Sequence, residues 1–94
     1  MICAYTYLRR HDGLPPGVGE SQIVQDAVWV HSRPEDGLQH IRVRDDGAGL
    51  ALHLFLRGTD AGEVSSRLER LLRGLRIVPA LQAYQRLSAP MEVP

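Results

Sequence analysis

The sequence predicts an α+β fold, a four-stranded antiparallel β-meander with one or two C-terminal helices packed on one face. Three observations lead to this prediction. Four segments within the first 57 residues alternate apolar and polar side chains, turn-forming residues separate them, and the apolar period becomes helical after Thr59. With 94 residues, of which 44% are hydrophobic, the chain suits one domain over residues 1–88, followed by a frayed tail at 89–94.

The first predicted strand, Ile2 to Arg9, alternates apolar side chains with Tyr5 and Tyr7. Residues 11–22 follow, and they contain two prolines and three glycines. We therefore expect a mobile loop there rather than a helix that crosses from one strand to the next. The remaining predicted strands are Ala27 to Arg33, Leu38 to Asp45 and Gly49 to Arg57.

Two turn sequences connect the second, third and fourth predicted strands. Residues 34–37 read Pro-Glu-Asp-Gly, which suits a tight loop, and residues 45–48 read Asp-Asp-Gly-Ala, centred on the Asp-Gly pair typical of hairpins. The three strands should therefore be sequential antiparallel neighbours.

Strand register follows from the requirement that apolar residues oppose one another. In the second hairpin this requirement pairs Val43 with Leu50, and with the first hairpin it aligns three histidines in one row across the strands: His31, His40 and His53. A register shifted by two residues pairs Val43 with Leu52 instead. It keeps both faces of the sheet but sets His53 against Arg42 and breaks the row.

The helical part begins with Asp60, which is placed to cap a helix whose apolar stripe comprises Val64, Leu68, Leu71, Leu72 and Leu75. Glu63 and Arg67 lie four residues apart, as in an ion pair on a solvated helix surface. Pro79 should start a separate short helix that carries Leu81, Tyr84 and Leu87.

The sheet face opposite the helices is the predicted binding surface. It gathers rings, arginines and histidines, a composition typical of interfaces: Tyr5, Tyr7, Trp29, His31, His40, Arg42, Arg44, His53 and Phe55. We expect a small non-catalytic accessory, adaptor or regulatory protein that binds a protein partner or forms a homodimer through this face. No catalytic residues are assigned.

Two alternatives use the same residues. The row of His31, His40 and His53 could bind zinc, nickel or copper, as in a divalent-metal-binding protein or a small metal-dependent enzyme. The rings with Arg42 and Arg44 could instead stack the bases and contact the phosphates of single-stranded nucleic acid.

Composition narrows the function classes further. Eleven basic and eleven acidic residues cancel, so no global charge favours nucleic acid or an anionic membrane. All eleven basic residues are Arg, which suggests a GC-rich, bacterial genome. Cys3 is the single cysteine, so we expect no intramolecular disulfide and a cytoplasmic location. The apolar run from Gly47 to Leu56 is too short to span a membrane.

Overall fold

The computed structural model describes residues 1–58, 60–86 and 91–93. It confirms an α+β fold with an antiparallel sheet. In chain order the elements are β1 (Ile2–Arg10), α1 (Glu20–His31), β2 (Leu38–Asp45), β3 (Leu50–Leu56), α2 (Ala61–Gly74), β4 (Tyr84–Arg86) and β5 (Met91–Val93). Three 3₁₀ turns lie at Pro34–Asp36, Leu75–Ile77 and Pro79–Ala83.

The sheet has the strand order β2-β3-β1-β4, with all neighbours antiparallel. Along one edge of β1, β4 pairs with residues 8–10 and β5 pairs with residues 3–5. Up to β4, the succession β-α-β-β-α-β with this strand order is the ferredoxin-like, or split β-α-β, arrangement. Within the part of the chain that the structure describes, no helix is long and apolar enough to cross a membrane.

Helix α1 corrects the prediction for the second strand. The segment Ala27 to Arg33 is not a strand, because it supplies the end of α1 and the turn that follows. Val24 and Val28, four residues apart, are both completely buried, whereas Val30 is 79% exposed. The helix already begins at Glu20, after Gly19 with a φ of 79°, inside the segment expected to be a loop.

The fourth strand lies elsewhere in the chain than predicted. Tyr84–Arg86, expected within a short helix, forms β4, and Pro79–Ala83 forms a 3₁₀ turn before it. Met91–Val93, within the expected frayed tail, forms β5. Leu87 and residues 88–90 and 94 lie outside the described part of the chain.

Helix α2 matches its prediction. The Asp60 carboxylate accepts hydrogen bonds from the backbone N–H groups of Gly62 (2.9 Å) and Glu63 (3.2 Å), so it caps the helix start. Arg67 pairs with Glu63 at 3.4 Å. The predicted stripe faces the core, where its members are at most 9% exposed: Val64, Leu68, Leu71, Leu72 and Leu75.

The core lies between one face of the sheet and the two helices. Leu50, Leu52, Leu54 and Leu56 of β3 are fully buried and belong to the same cluster as Val24 and Val28 of α1 and the stripe of α2. Each buried leucine contributes about 1.5–3 kcal/mol relative to leaving it in water. Since both helices cover this face, the opposite face of the sheet is left open.

Candidate functional site

The open face is the sheet surface opposite the helices. By the pairing of the strands, β1 contributes Cys3, Tyr5, Tyr7 and Arg9, β2 contributes His40, Arg42 and Arg44, and β3 contributes Ala51, His53 and Phe55. All of these side chains are half-buried or exposed. The buried side chains of both helices belong to the core on the other face of the sheet.

Strand pairing arranges nine of these residues in three rows across β2, β3 and β1. The rows are Arg44–Ala51–Tyr7, Arg42–His53–Tyr5 and His40–Phe55–Cys3. Val43 pairs with Leu52, so the hairpin adopts the alternative register, shifted by two residues from the first prediction. Each β2 position on the open face therefore carries a cation or a histidine, and two of the three β1 positions carry a tyrosine.

The Asp46 side chain explains the shifted register. Its Oδ1 accepts hydrogen bonds from the backbone N–H groups of Ala48 (2.9 Å) and Gly49 (2.8 Å). These bonds stabilise a connection of four residues, 46–49, whereas the predicted register requires a turn of two residues. The N–H of Ala48 contributes most to lowering the pKa of Asp46, and the Tyr7 hydroxyl contributes next.

Tyr7 ties β1 to this hairpin. Its hydroxyl donates to the Asp46 carboxylate, at 2.9 and 2.8 Å from the two oxygens, and burial together with this bond raises the pKa of Tyr7. The ring lies over Gly49, where a Cβ atom would come within 2.7 Å of the ring and 2.5 Å of the Leu8 carbonyl oxygen. Gly49 therefore has to lack a side chain for Tyr7 to occupy this position.

Two ring pairs occupy the middle of the open face. Tyr5 and His53 are cross-strand partners with ring centroids 5.0 Å apart, and His40 and Phe55 have centroids 5.6 Å apart. Both separations are typical of favourable tilted ring contacts. The rings in each pair therefore orient one another.

Trp29 and His31 do not lie on the open face. Both lie on α1, which packs on the other side of the sheet, and Trp29 is 41% exposed there. The predicted row of His31, His40 and His53 is therefore not formed. His40 and His53 are not partners either, because His40 pairs with Phe55 and His53 with Arg42. Among the described residues, no group of three or more His, Cys, Asp or Glu is placed to hold a metal ion.

The arginines of β2 form the cationic edge of the open face. Arg42 and Arg44 are exposed, and neither has an ion-pair partner within 4.0 Å in the described part of the chain. Arg9 adds a third exposed cation on β1. Guanidinium groups of this kind stack on rings and bind carboxylates or phosphates.

A polar cluster at the start of α1 could not be predicted from the sequence. The Tyr84 hydroxyl donates to Glu20, Arg10 lies 3.6 Å from the same carboxylate, and Arg10 also pairs with Asp12 at 2.8 Å. Burial and the bond to Glu20 raise the pKa of Tyr84 to about 12, whereas the Arg10 side chain, followed by the backbone N–H of Leu14, lowers the pKa of Asp12 to about 2. Glu20 and Tyr84 are 64 residues apart, so no local pattern signals their contact.

A cleft of about 670 Å³ lies between the end of α2 and β4. The Glu69–Arg86 ion pair, at 3.1 Å, lies at its side. Three of the leucines that line the cleft, Leu72, Leu75 and Leu81, are at most 9% exposed, and a fourth, Leu8, is half-buried.

Comparison with protein-family models, with curated proteins and with solved structures gives no match to this chain. Fold and surface alone therefore define its class. It is a ferredoxin-like α+β domain with two helices on one sheet face and rings, histidines and arginines on the other.

Proposed function

We propose that this protein is a non-catalytic accessory, adaptor or regulatory protein that forms a homodimer through its open face. One observation carries the proposal: three of the five aromatic side chains of the chain, Tyr5, Tyr7 and Phe55, share the sheet face opposite the two helices. A cytoplasmic location is part of the proposal, since a single free cysteine suits a reducing compartment.

The size of the face supports a dimer of modest affinity. Seven residues at about 3.3 Å each and three facing strands at about 4.8 Å give roughly 330 Å² of flat surface per copy. Two facing copies therefore cover about 660 Å² before the area of the protruding side chains is added, which is the small size of a weak, transient interface. We expect dissociation in the micromolar range, with the rings as the central contacts.

Sedimentation equilibrium across micromolar concentrations tests the dimer directly. The unaltered chain should reach twice its monomer mass, and Phe55→Glu should remain monomeric because it places a carboxylate on β3, the central strand of the contact. Circular dichroism should show that the variant keeps its secondary structure.

The matched control is Val30→Glu, which places the same charge on α1 at a position that is 79% exposed, on the other side of the sheet. This control should dimerise like the unaltered chain. A chain that stays monomeric at every concentration, or that loses its dimer in the Val30→Glu control alone, would contradict the proposal.

Single-stranded nucleic acid is a second candidate, favoured by the exposed Arg42 and Arg44 beside the rings. Rings on an open sheet stack bases, and unpaired arginines bind phosphates. Fluorescence anisotropy with labelled mixed-sequence RNA and DNA should then show binding that weakens as salt rises and as Arg42 and Arg44 are replaced by Gln. Absence of binding at low salt would exclude this function.

A further inference from the structure

We infer that the two copies of the proposed dimer face each other with their strands running in the same direction and β3 on the symmetry axis. In this arrangement Arg42 of each copy lies on Tyr5 of the other, and Arg44 lies on Tyr7. The inference rests on the proposed dimer, and it adds the symmetry of the interface and the contacts that specify it.

The symmetry of a homodimer limits how the two open faces can pack against each other. Two identical faces packed together are related by a twofold axis that lies in the plane between them. Aligned packing of two sheets requires that axis to run nearly along the strands or nearly across them. An axis along the strands exchanges the two sides of β3, so β2 of one copy faces β1 of the other. An axis across the strands places each strand against the same strand of the second copy.

Charge decides between these two arrangements. With the axis across the strands through the His53 row, Arg42 faces Arg42 of the second copy, and Arg44 faces His40. Neither arginine has an acidic partner in the described chain to offset that repulsion. Like charges facing each other across an interface cost several kcal/mol, so the axis along the strands is favoured.

The rows then match residue by residue. The axis lies over β3 because β3 is the central one of the three long strands, β2, β3 and β1. An exchange across β3 keeps each residue in its own row, so Arg42 meets Tyr5 and Arg44 meets Tyr7. Arginine over a tyrosine ring is an attractive contact, and the symmetry produces each pair twice.

A charge exchange within one chain tests this arrangement. We expect Arg42→Glu alone and Tyr5→Arg alone each to weaken the dimer about tenfold or more, because each creates or removes a charged contact twice. The dissociation constant of the double variant Arg42→Glu/Tyr5→Arg should return to within about threefold of that of the unaltered chain, since each new Glu then faces a new Arg. Dissociation constants from sedimentation equilibrium give all four values, and circular dichroism verifies folding.

The outcomes separate this inference from the proposed function. With the axis across the strands, the double variant places Glu on Glu and Arg on Arg, and its dimer is weaker than that of either single variant. That result, or two single variants without effect, overturns the arrangement while the dimer of the unaltered chain stands. An unaltered chain that is monomeric overturns the proposed function itself.

Discussion

Replacing the buried carboxylate of Asp36 should destabilise the fold more than any exposed substitution nearby. Asp36 lies in the 3₁₀ turn before β2, and its side chain is fully buried. One carboxylate oxygen accepts the backbone N–H of Arg33 at 2.7 Å, and the other forms an ion pair with Arg70 of α2. The Asp36 backbone carbonyl accepts a bond from Arg67 of α2 at 3.1 Å. The turn is therefore attached to α2 through polar contacts.

The decrease in the free energy of unfolding that we expect for Asp36→Ala follows from these contacts. In Asp36→Ala the Arg33 N–H loses a bond to a charged acceptor, worth about 1.5–3 kcal/mol. The ion pair adds about 1 kcal/mol at most, because the Arg70 side chain is 42% exposed and can return to water. Relief from burying a carboxylate offsets part of the loss. The net decrease in the free energy of unfolding is about 2–3 kcal/mol, or a Tm lower by about 10–20 °C.

Urea unfolding followed by circular dichroism measures this change, with Glu35→Ala as the control. Glu35 is the exposed neighbour in the same turn, and its replacement should alter the free energy of unfolding by less than about 0.5 kcal/mol. Arg70→Met should also destabilise the fold, because it leaves the Asp36 carboxylate buried without its ion-pair partner. The double variant Asp36→Ala/Arg70→Met should lose less free energy of unfolding than the two single variants lose together. A loss below about 1 kcal/mol in Asp36→Ala, or strict additivity, would refute the assigned role.

Three further predictions test other parts of the fold. Gly49→Ala should lower the free energy of unfolding by about 2 kcal/mol or more in urea, since its Cβ atom meets a backbone carbonyl that cannot move aside. Asp12 has a pKa of about 2 in the fold against 3.8 ordinarily, so it stabilises the protein above pH 4 and this contribution disappears as the pH falls towards 2. The Tm difference between the unaltered chain and Asp12→Asn should shrink over that range, and a constant difference would contradict this. Val28→Ala should cost about 1.5–2.5 kcal/mol and Val30→Ala less than about 0.5, whereas equal costs would restore the strand prediction.

The open face was largely predictable, although the sequence left two registers open for the second hairpin. Seven of the nine predicted residues lie on it: Tyr5, Tyr7, His40, Arg42, Arg44, His53 and Phe55. Side chains along a strand repeat every two residues, so a register shifted by two leaves each of them on the same face. The pairing of individual residues changes with any shift. For this reason most of the predicted residues share one face in the structure, whereas the predicted histidine row, which depends on the pairing, is not formed.

The polar contacts that hold the turn before β2 and the start of α1 in place could not be predicted, because they join residues far apart in the chain. Arg67 is 31 residues from Asp36, and Tyr84 is 64 residues from Glu20. Helix α2 needed no such information. Its cap at Asp60 and its leucine stripe are local patterns, and the tertiary structure uses both as they stand.

Helix α1 shows why an alternating pattern can mislead when the segment is short. Within residues 27–33, Val28 and Val30 alternate with Trp29 and His31, as in a half-buried strand. A strand there would add a sheet edge with unpaired backbone N–H and C=O groups, whereas a helix pairs these groups within itself. The helix also places Val24 and Val28 on one side, in the same buried cluster as the leucines of β3. The connection from β1 to β2 supports the helix, since both strands run in the same direction on either side of β3 and a chain linking such strands has to cross the sheet. Helix α1 makes that crossing and covers the leucine face, so the rings and arginines lie on the face of the sheet that is left open.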